Sequence, residues 1–353
     1  MQTATTAPAG VAEGARIRTR ITERFGASTP ILNAGMVLIA GPELAAAVSN
    51  AGGIGTIGAT MVPPEGLRGM IRATRALTPR PFGVDLIGQF VEPAHVDVLL
   101  EERPALVIFF WSAPPASTIE RLKAAGVCVW MQVGTVAEAR DAVALGVEAL
   151  VLQGSEAGGH NRAEMTLATL LPAIRQACST LPLVAAGGIV DGCTMAAALV
   201  AGAEAVWCGT RFLATHEANA AEGFKSRVVE SGPGDTEIST VFGPEWPGEP
   251  VRALANAAVR AARGRAAEAL EEAQGEVIGT VVLGGERLPV PRYSAILPIR
   301  DMEADLDWAC LTVGEASAVI ETIEPAAALV ARMTRDALAL LPASSHSATS
   351  RAA

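Results

Sequence analysis

The sequence predicts a (β/α)8 TIM barrel with a smaller substrate or lid region inserted before its C-terminal helix. Three observations predict it. Short β-branched or apolar runs alternate with Ala-rich helical patterns from Pro30 to about Ser231, eight such runs occur, and polar residues and glycines collect where the runs end. An open doubly wound sheet is the alternative, and the count of eight favours the barrel. Half of the 353 residues are apolar and the mean hydropathy is +0.35. The apolar excess lies in Ala, Val, Leu and Gly, which suits close packing of helices on a parallel sheet.

The expected strands are "PILNAG", "GGIGTIG", "PFGVDLI", "ALVIFF", "GVCVWMQ", "ALVLQG", "PLVAAGG" and "AVWCGT". Helix patterns between them include "GPELAAAVSNAG", "PEGLRGMIRATRAL", "TVAEARDAVALG" and "DGCTMAAALVAG", several ending in Gly as helices often do. After Ser231 the rhythm changes. "SGPGDTEISTVFGPEWPGEP" is rich in turn residues, "VRALANAAVRAARGRAAEALEEAQ" looks helical, and "VIGTVVLGGERLPV" reads as a hairpin. Residues 232–313 are therefore expected to cover one mouth of a barrel built from residues 26–231 and 314–342. The stretch "EASAVIETIEPAAALVARMTRDALALL" reads as a returning helix with Pro325 at a break or start. Residues 1–25 and 343–353 are expected to be disordered tails.

Net charge is −10 with no basic stripe, so nucleic acid and anionic membrane are not expected partners. No apolar stretch approaches the roughly 20 residues that span a bilayer. The N-terminus lacks a charged region followed by an apolar one, so no signal peptide is expected. The cysteines Cys128, Cys178, Cys193, Cys208 and Cys310 have no metal-ligand spacing. They read as free, mostly buried thiols in a reducing cytoplasm.

Barrel active sites form at the C-terminal ends of the strands. There the sequence places Asn33, Gly35, Met36, Asp85, Gln89, Trp111, Gln132 and the loop "QGSEAGGHNR", then Gly187–Gly188 and Gly209–Thr210. The two glycine segments follow the last two strands, where backbone N–H groups commonly hold a phosphate; each alone also reads as an ordinary strand–helix turn. In the loop after the sixth strand, the glycines let backbone lie against a flat ligand and deliver His160 for proton transfer. A surface histidine in a loose loop is the competing reading. Trp111 and Trp130 read as packing, with Trp111 able to wall the pocket. His95 reads as lying on a surface helix, and His216 is a weak second candidate at the rim.

The segments "PILNAGM", "ELAAAVSNAGGIGTIGA", "PFGVDL", "QVGTVAEARDAVALGVEALVLQGSEAGGH", "LPLVAAGGI", "GTRFLATHEA" and "DTEIST" occur in this order from about Pro30 onward. In this the sequence resembles the nitronate monooxygenases, FMN-dependent (β/α)8 enzymes once called 2-nitropropane dioxygenases. The resemblance extends to the C-terminal helix and is most specific at "EAGGH". It implies that Met36, Asp85, Gln132, Gln153 and Gly158 meet the flavin. It implies that Gly187, Gly188, Trp207, Cys208, Gly209 and Thr210 form the phosphate segments, and that His160 is the catalytic base or binds the nitro end of the substrate. Four positions depart from the family pattern: Asp85 stands where Asn is usual, Gly35 where Pro is usual, and Asn161–Arg162 follow His160 in place of a basic residue and Gly. An ionised Asp85 only accepts hydrogen bonds and makes a flavin harder to reduce. Arg162 reaches an anionic substrate or, as for most loop arginines, water.

The resemblance implies oxidation of alkyl nitronates, such as propionate 3-nitronate, or of nitroalkanes, by O2 to a carbonyl compound and nitrite. FMN supplies the electron chemistry, no metal takes part, and a homodimer is a possible assembly. The alternative keeps fold and FMN but reduces an enoyl thioester or a quinone with NAD(P)H. A flavin-binding protein without catalysis is the third reading, and an intact His160 argues against it.

Overall fold

The computed structural model describes residues 16–178, 180–244, 246–342 and 346–347. Its centre is a parallel sheet of Ile31–Asn33, Gly55–Gly58, Phe82–Ile87, Leu106–Phe110, Cys128–Val133, Ala149–Gln153, Leu183–Ala186 and Ala205–Cys208. The last strand pairs with the first, and a bridge from Leu32 to Ile54 joins the first to the second, closing the barrel. All eight expected runs are strands, and each lies within three residues of its expected limits. Side chains alternate along them as a barrel requires. Leu106 and Ile108 join Trp130, Val151, Val184 and Trp207 in the barrel interior, while Val107 and Phe109 face the helices. Trp130 is packing, as its sequence position suggests.

The four quoted helical patterns form Pro42–Asn50, Pro64–Leu77, Val136–Ala144 and Gly192–Val200. The returning helix is Ala326–Leu340 with Pro325 as its N-cap. It docks closely: a Cβ at Gly192 would come 2.5 Å from the Ala337 nitrogen, and the Thr334 hydroxyl donates to Thr29 Oγ1 at 2.8 Å.

The expected N-terminal tail needs correction. Arg16–Ile17 is a strand that pairs with His346–Ser347, and Arg20–Phe25 is a helix. The Thr19 hydroxyl accepts from the Thr22 amide at 3.1 Å and Thr22 Oγ1 accepts from the Thr19 amide at 2.8 Å; Gly26 ends the helix at φ 63°. Ile21 and Phe25 then fill the interior, Phe25 meeting Trp130 edge-on at 5.8 Å. Residues 1–15, 343–345 and 348–353 of the expected tails lie outside the described residues.

The stretch from residue 251 also differs from a continuous helix. Val251–Leu254 is a buried strand, followed by the short helices Ala257–Ala261 and Ala266–Glu272. Its side chains are buried on both faces, which favours strand over an amphipathic helix. The hairpin is present as Val277–Leu283 and Glu286–Pro291. No helix among the described residues is long and apolar enough to cross a membrane.

The packing of Phe25 is testable. Phe25→Ala is expected to lower unfolding free energy by about 3 kcal/mol, read from the urea midpoint. A loss under about 0.5 kcal/mol, the range of a neutral surface change, would mean that this helix does not plug the barrel.

Candidate active site

The loop after the sixth strand is tied down at every turn. Gln153 ends that strand and donates from Nε2 to the His160 carbonyl at 3.0 Å. Both Glu156 carboxylate oxygens accept from the Leu167 amide at 3.0 Å, at the N-terminus of helix Leu167–Ala177, where a negative charge is favoured. Asn161 is buried; its Nδ2 donates to the carbonyls of Gly154 and Ala157 at 3.0 and 2.9 Å, and its Oδ1 accepts from Ala163 at 2.9 Å. Gly159–His160 forms the edge strand of a small antiparallel sheet with Val251–Leu254 and Thr236–Ser239. Arg252 of that sheet donates to the Ser155 carbonyl at 3.0 Å and pairs with Glu315 at 3.1 Å. The loop is thus held from both the barrel and the 232–313 region.

This loop borders a cleft of about 230 Å³ at the C-terminal mouth of the barrel. Met36, Asp85, Gln132, Gln153, Gly158, His160, Gly187, Gly188, Trp207, Cys208, Gly209 and Thr210 all line it. Gly187 and Gly188 have φ of 107° and 70°, in the left-handed region that glycine alone enters freely. At Gly209 an added Cβ would meet nothing nearer than Ala34, at 3.6 Å. The 232–313 region contributes Gly243, Trp246, Ala295, Leu297, Cys310 and Thr312.

Among the described residues lining the cleft there is no lysine or arginine. Its two principal ionisable groups both favour the uncharged form. Burial pushes His160 down to about 4, so the imidazole is neutral at pH 7. Burial pushes the Asp85 carboxyl up to about 8, and its Oδ1 has no hydrogen-bond partner. Asp85 is therefore a protonated acid at pH 7, able to donate, rather than the acceptor expected of an ionised carboxylate. At Gly35, the second departure, an added Cβ would lie 2.2 Å from Asp85 Cβ. In this structure Gly35 leaves the space that the Asp85 side chain occupies.

Other positions behave differently from expectation. Both backbone groups of Met36 are used in its own turn, its amide donating to Ala34 and its carbonyl accepting from Ile39 and Ala40, which leaves the side chain to the cleft. Thr210 Oγ1 accepts from the Gly314 amide at 2.9 Å, so its hydroxyl hydrogen remains to be given. Arg162 does not line the cleft; half-buried, it folds back to pair with Glu138 at 2.7 Å and to donate to the Trp111 carbonyl at 2.5 Å. His216 is exposed and away from the cleft lining. His95 is buried, its Nδ1 accepting from the Glu92 amide at 3.1 Å and its Nε2 meeting the Val62 carbonyl at 2.9 Å. Phe90, Phe110, Trp246 and Thr312 line the cleft without having been singled out in sequence. Trp246 offered one signal, a large aromatic residue in an otherwise polar turn segment.

The sequence model of the family described as nitronate monooxygenase matches residues 18–94 and 88–336. A nitronate monooxygenase of Paraburkholderia phytofirmans is 33% identical over 279 residues, covering 66% of this chain and 75% of that protein. A (3aS,4S,5R,7aS)-5-hydroxy-7a-methyl-1-oxo-octahydro-1H-indene-4-carboxyl-CoA dehydrogenase of Rhodococcus jostii is 38% identical over 224 residues, 63% of each chain, so less than two thirds of that relative's length is spanned. The solved structure of FabK from Thermotoga maritima superposes with a TM-score of 0.76 at 32% identity, covering 92% of this chain and 97% of that one. The barrel, the loop carrying His160 and the extent of the match lead to one assignment: the chain belongs to the nitronate monooxygenase family.

Proposed function

We propose that the cleft binds FMN and that the protein oxidises nitroalkanes in their uncharged form with O2. The observation that carries this reading is a neutral imidazole, His160, bordering a cleft whose described residues include no cationic side chain. A carbon acid must lose a proton before oxidation, and a free-base histidine removes it. A cleft without cations offers nothing to pair with a substrate carboxylate such as that of propionate 3-nitronate. Two nitroalkanes and one O2 give two carbonyl compounds, two nitrites and two protons.

The residues present fit FMN. The left-handed backbone at Gly187 and Gly188 and the open face of Gly209, with the Thr210 hydroxyl, would hold the phosphate without a cation. Gln132, Gln153 and protonated Asp85 are neutral polar groups suited to the polar edges of the ring. FMN supplies the electron transfer to oxygen when bound. His160 accepts the α-proton at its imidazole. Gln153 and the strand Val251–Leu254 hold that residue's backbone in place. Phe90, Phe110 and Trp246 keep water from the reacting carbon.

The second reading, NAD(P)H-dependent reduction of a thioester or quinone, draws support from the CoA-ester dehydrogenase named among the relatives. Bleaching of the bound flavin by NADH or NADPH within the mixing time, without nitrite release from nitroalkanes, would favour it over the first.

The purified protein is expected to be yellow or to take up FMN on titration; a colourless protein that binds none would overturn the cofactor assignment. His160→Asn is expected to retain FMN and to lose about 10²–10⁴-fold in kcat/KM with nitroethane, but much less with preformed ethyl nitronate, which needs no deprotonation. An equal loss on both would remove the base role. The neutral imidazole is the reactive form and protonation removes it, so the acid limb of the nitroethane profile is expected near pH 4 rather than 6.5. Asp85 is uncharged below about 8 and an anion above it. The reduction potential of bound flavin should therefore fall more steeply above pH 8 than that of Asp85→Asn, and parallel curves would show that Asp85 does not titrate there.

A further inference from the structure

Aromatic rings converge on His160. Trp246 lies across its imidazole at 4.6 Å and 33°, and Trp111 meets it edge-on at 5.7 Å. Trp246 in turn packs on Trp111 at 4.8 Å and on Phe90 at 5.6 Å. Such pairs prefer edge-on and tilted arrangements, so the cluster is mutually supporting. Trp246 and Phe90 face the cleft and Trp111 stands behind them.

This wall is braced in an unfavourable backbone. Trp111 has φ 70°, in the left-handed region that a bulky residue rarely adopts. Arg162 holds it by two contacts and is itself held by a third. Arg162 donates to its carbonyl, places its guanidinium carbon 4.5 Å from the ring centre, and pairs with Glu138. Glu138 is itself anchored, accepting from the Gly134 amide at 2.7 Å. Strain kept in place by a charged clamp, directly behind a reacting group, marks a surface whose position matters.

We infer that Trp246, braced by Phe90, Trp111 and the Arg162 clamp, determines specificity by receiving an uncharged, flat, ring-sized apolar group of the substrate beside His160. Under the proposed reaction the substrate class is aryl or alicyclic nitroalkanes rather than short or carboxylate-bearing ones. The reacting head group rests on that reading. The preference of the wall rests on the rings and on the missing cations, and applies whichever reaction the cleft performs. A carboxylate there would lose its hydration without gaining a partner, whereas an apolar ring exchanges water for aromatic faces.

The test is calorimetric titration of the protein, with and without added FMN, using 2-naphthamide, 2-naphthoate and propionamide. The FMN-loaded protein is expected to bind 2-naphthamide at least about tenfold more tightly than 2-naphthoate, the scale of one unpaired charge outweighing an identical ring. In Trp246→Ala the ratio of 2-naphthamide to propionamide affinity is expected to fall about tenfold, and in Trp246→Phe by much less. FMN affinity and the circular dichroism spectrum, measured on each variant, report whether the cleft is intact. Equal or tighter binding of 2-naphthoate overturns the inference, as does an unchanged affinity ratio in a folded Trp246→Ala. A wild-type protein that binds no FMN yet still prefers 2-naphthamide supports the inference while defeating the cofactor assignment, so the two fail separately.

Discussion

Two residues of backbone pairing, Gly159–His160 against Val251–Arg252, govern how the rest of the cleft is arranged. A glycine-rich segment at the end of a barrel strand has many conformations open to it, and fixing it costs about 1–2 kcal/mol per residue. Here the ladder, the buried Asn161 amide and the bridging Arg252 offset that cost. One consequence is that the imidazole has a defined place above the strand ends. Another is that the 232–313 region is held over the mouth by the same bonds that fix the imidazole.

The electrostatics of the cleft follow from what it leaves out. With no lysine or arginine among the described residues of its lining, burial outweighs the Leu86 backbone hydrogen bond at Asp85 and acts alone on His160, and both groups favour their neutral forms. The carboxyl at Asp85 is accommodated because Gly35 offers no side chain. Charges do occur nearby, but they are spent on structure: Glu156 on a helix N-terminus, Arg252 on the loop carbonyls, Arg162 and Glu138 on Trp111. The chain keeps its ions around the cleft and not in it.

The barrel was legible because strand and helix periods differ and because each strand ends in a short polar or glycine segment. The residues that line the floor of the cleft, from Met36 to Thr210, were legible for the same reason: they sit at those ends. What escaped was whatever depends on distant pairing. Val251–Leu254 carries an Ala-rich neighbourhood that favours helix, and becomes a strand only because Gly159–His160 and Thr236–Ser239 lie on either side. Arg162 looked like a solvated loop residue because its partners lie 24 and 51 positions earlier in the chain. Helix Arg20–Phe25 did have local marks, the reciprocal Thr19–Thr22 cap and Gly26, which the polar composition of the preceding residues obscured.

The division of the cleft along the chain has a genetic consequence. The floor residues all precede position 211, whereas Gly243, Trp246, Leu297 and Thr312 come from one later stretch. Crossovers near residues 231 and 313 would exchange the roof as a block while leaving the floor in its original context. A transplanted roof would have to match its recipient well beyond the cleft: at the ladder to Gly159–His160 and the Arg252 contact with Ser155, but also at the Ala220–Ile299 bridge, the Arg300 bonds to the His216 and Ala218 carbonyls, and the Arg227–Asp307 ion pair.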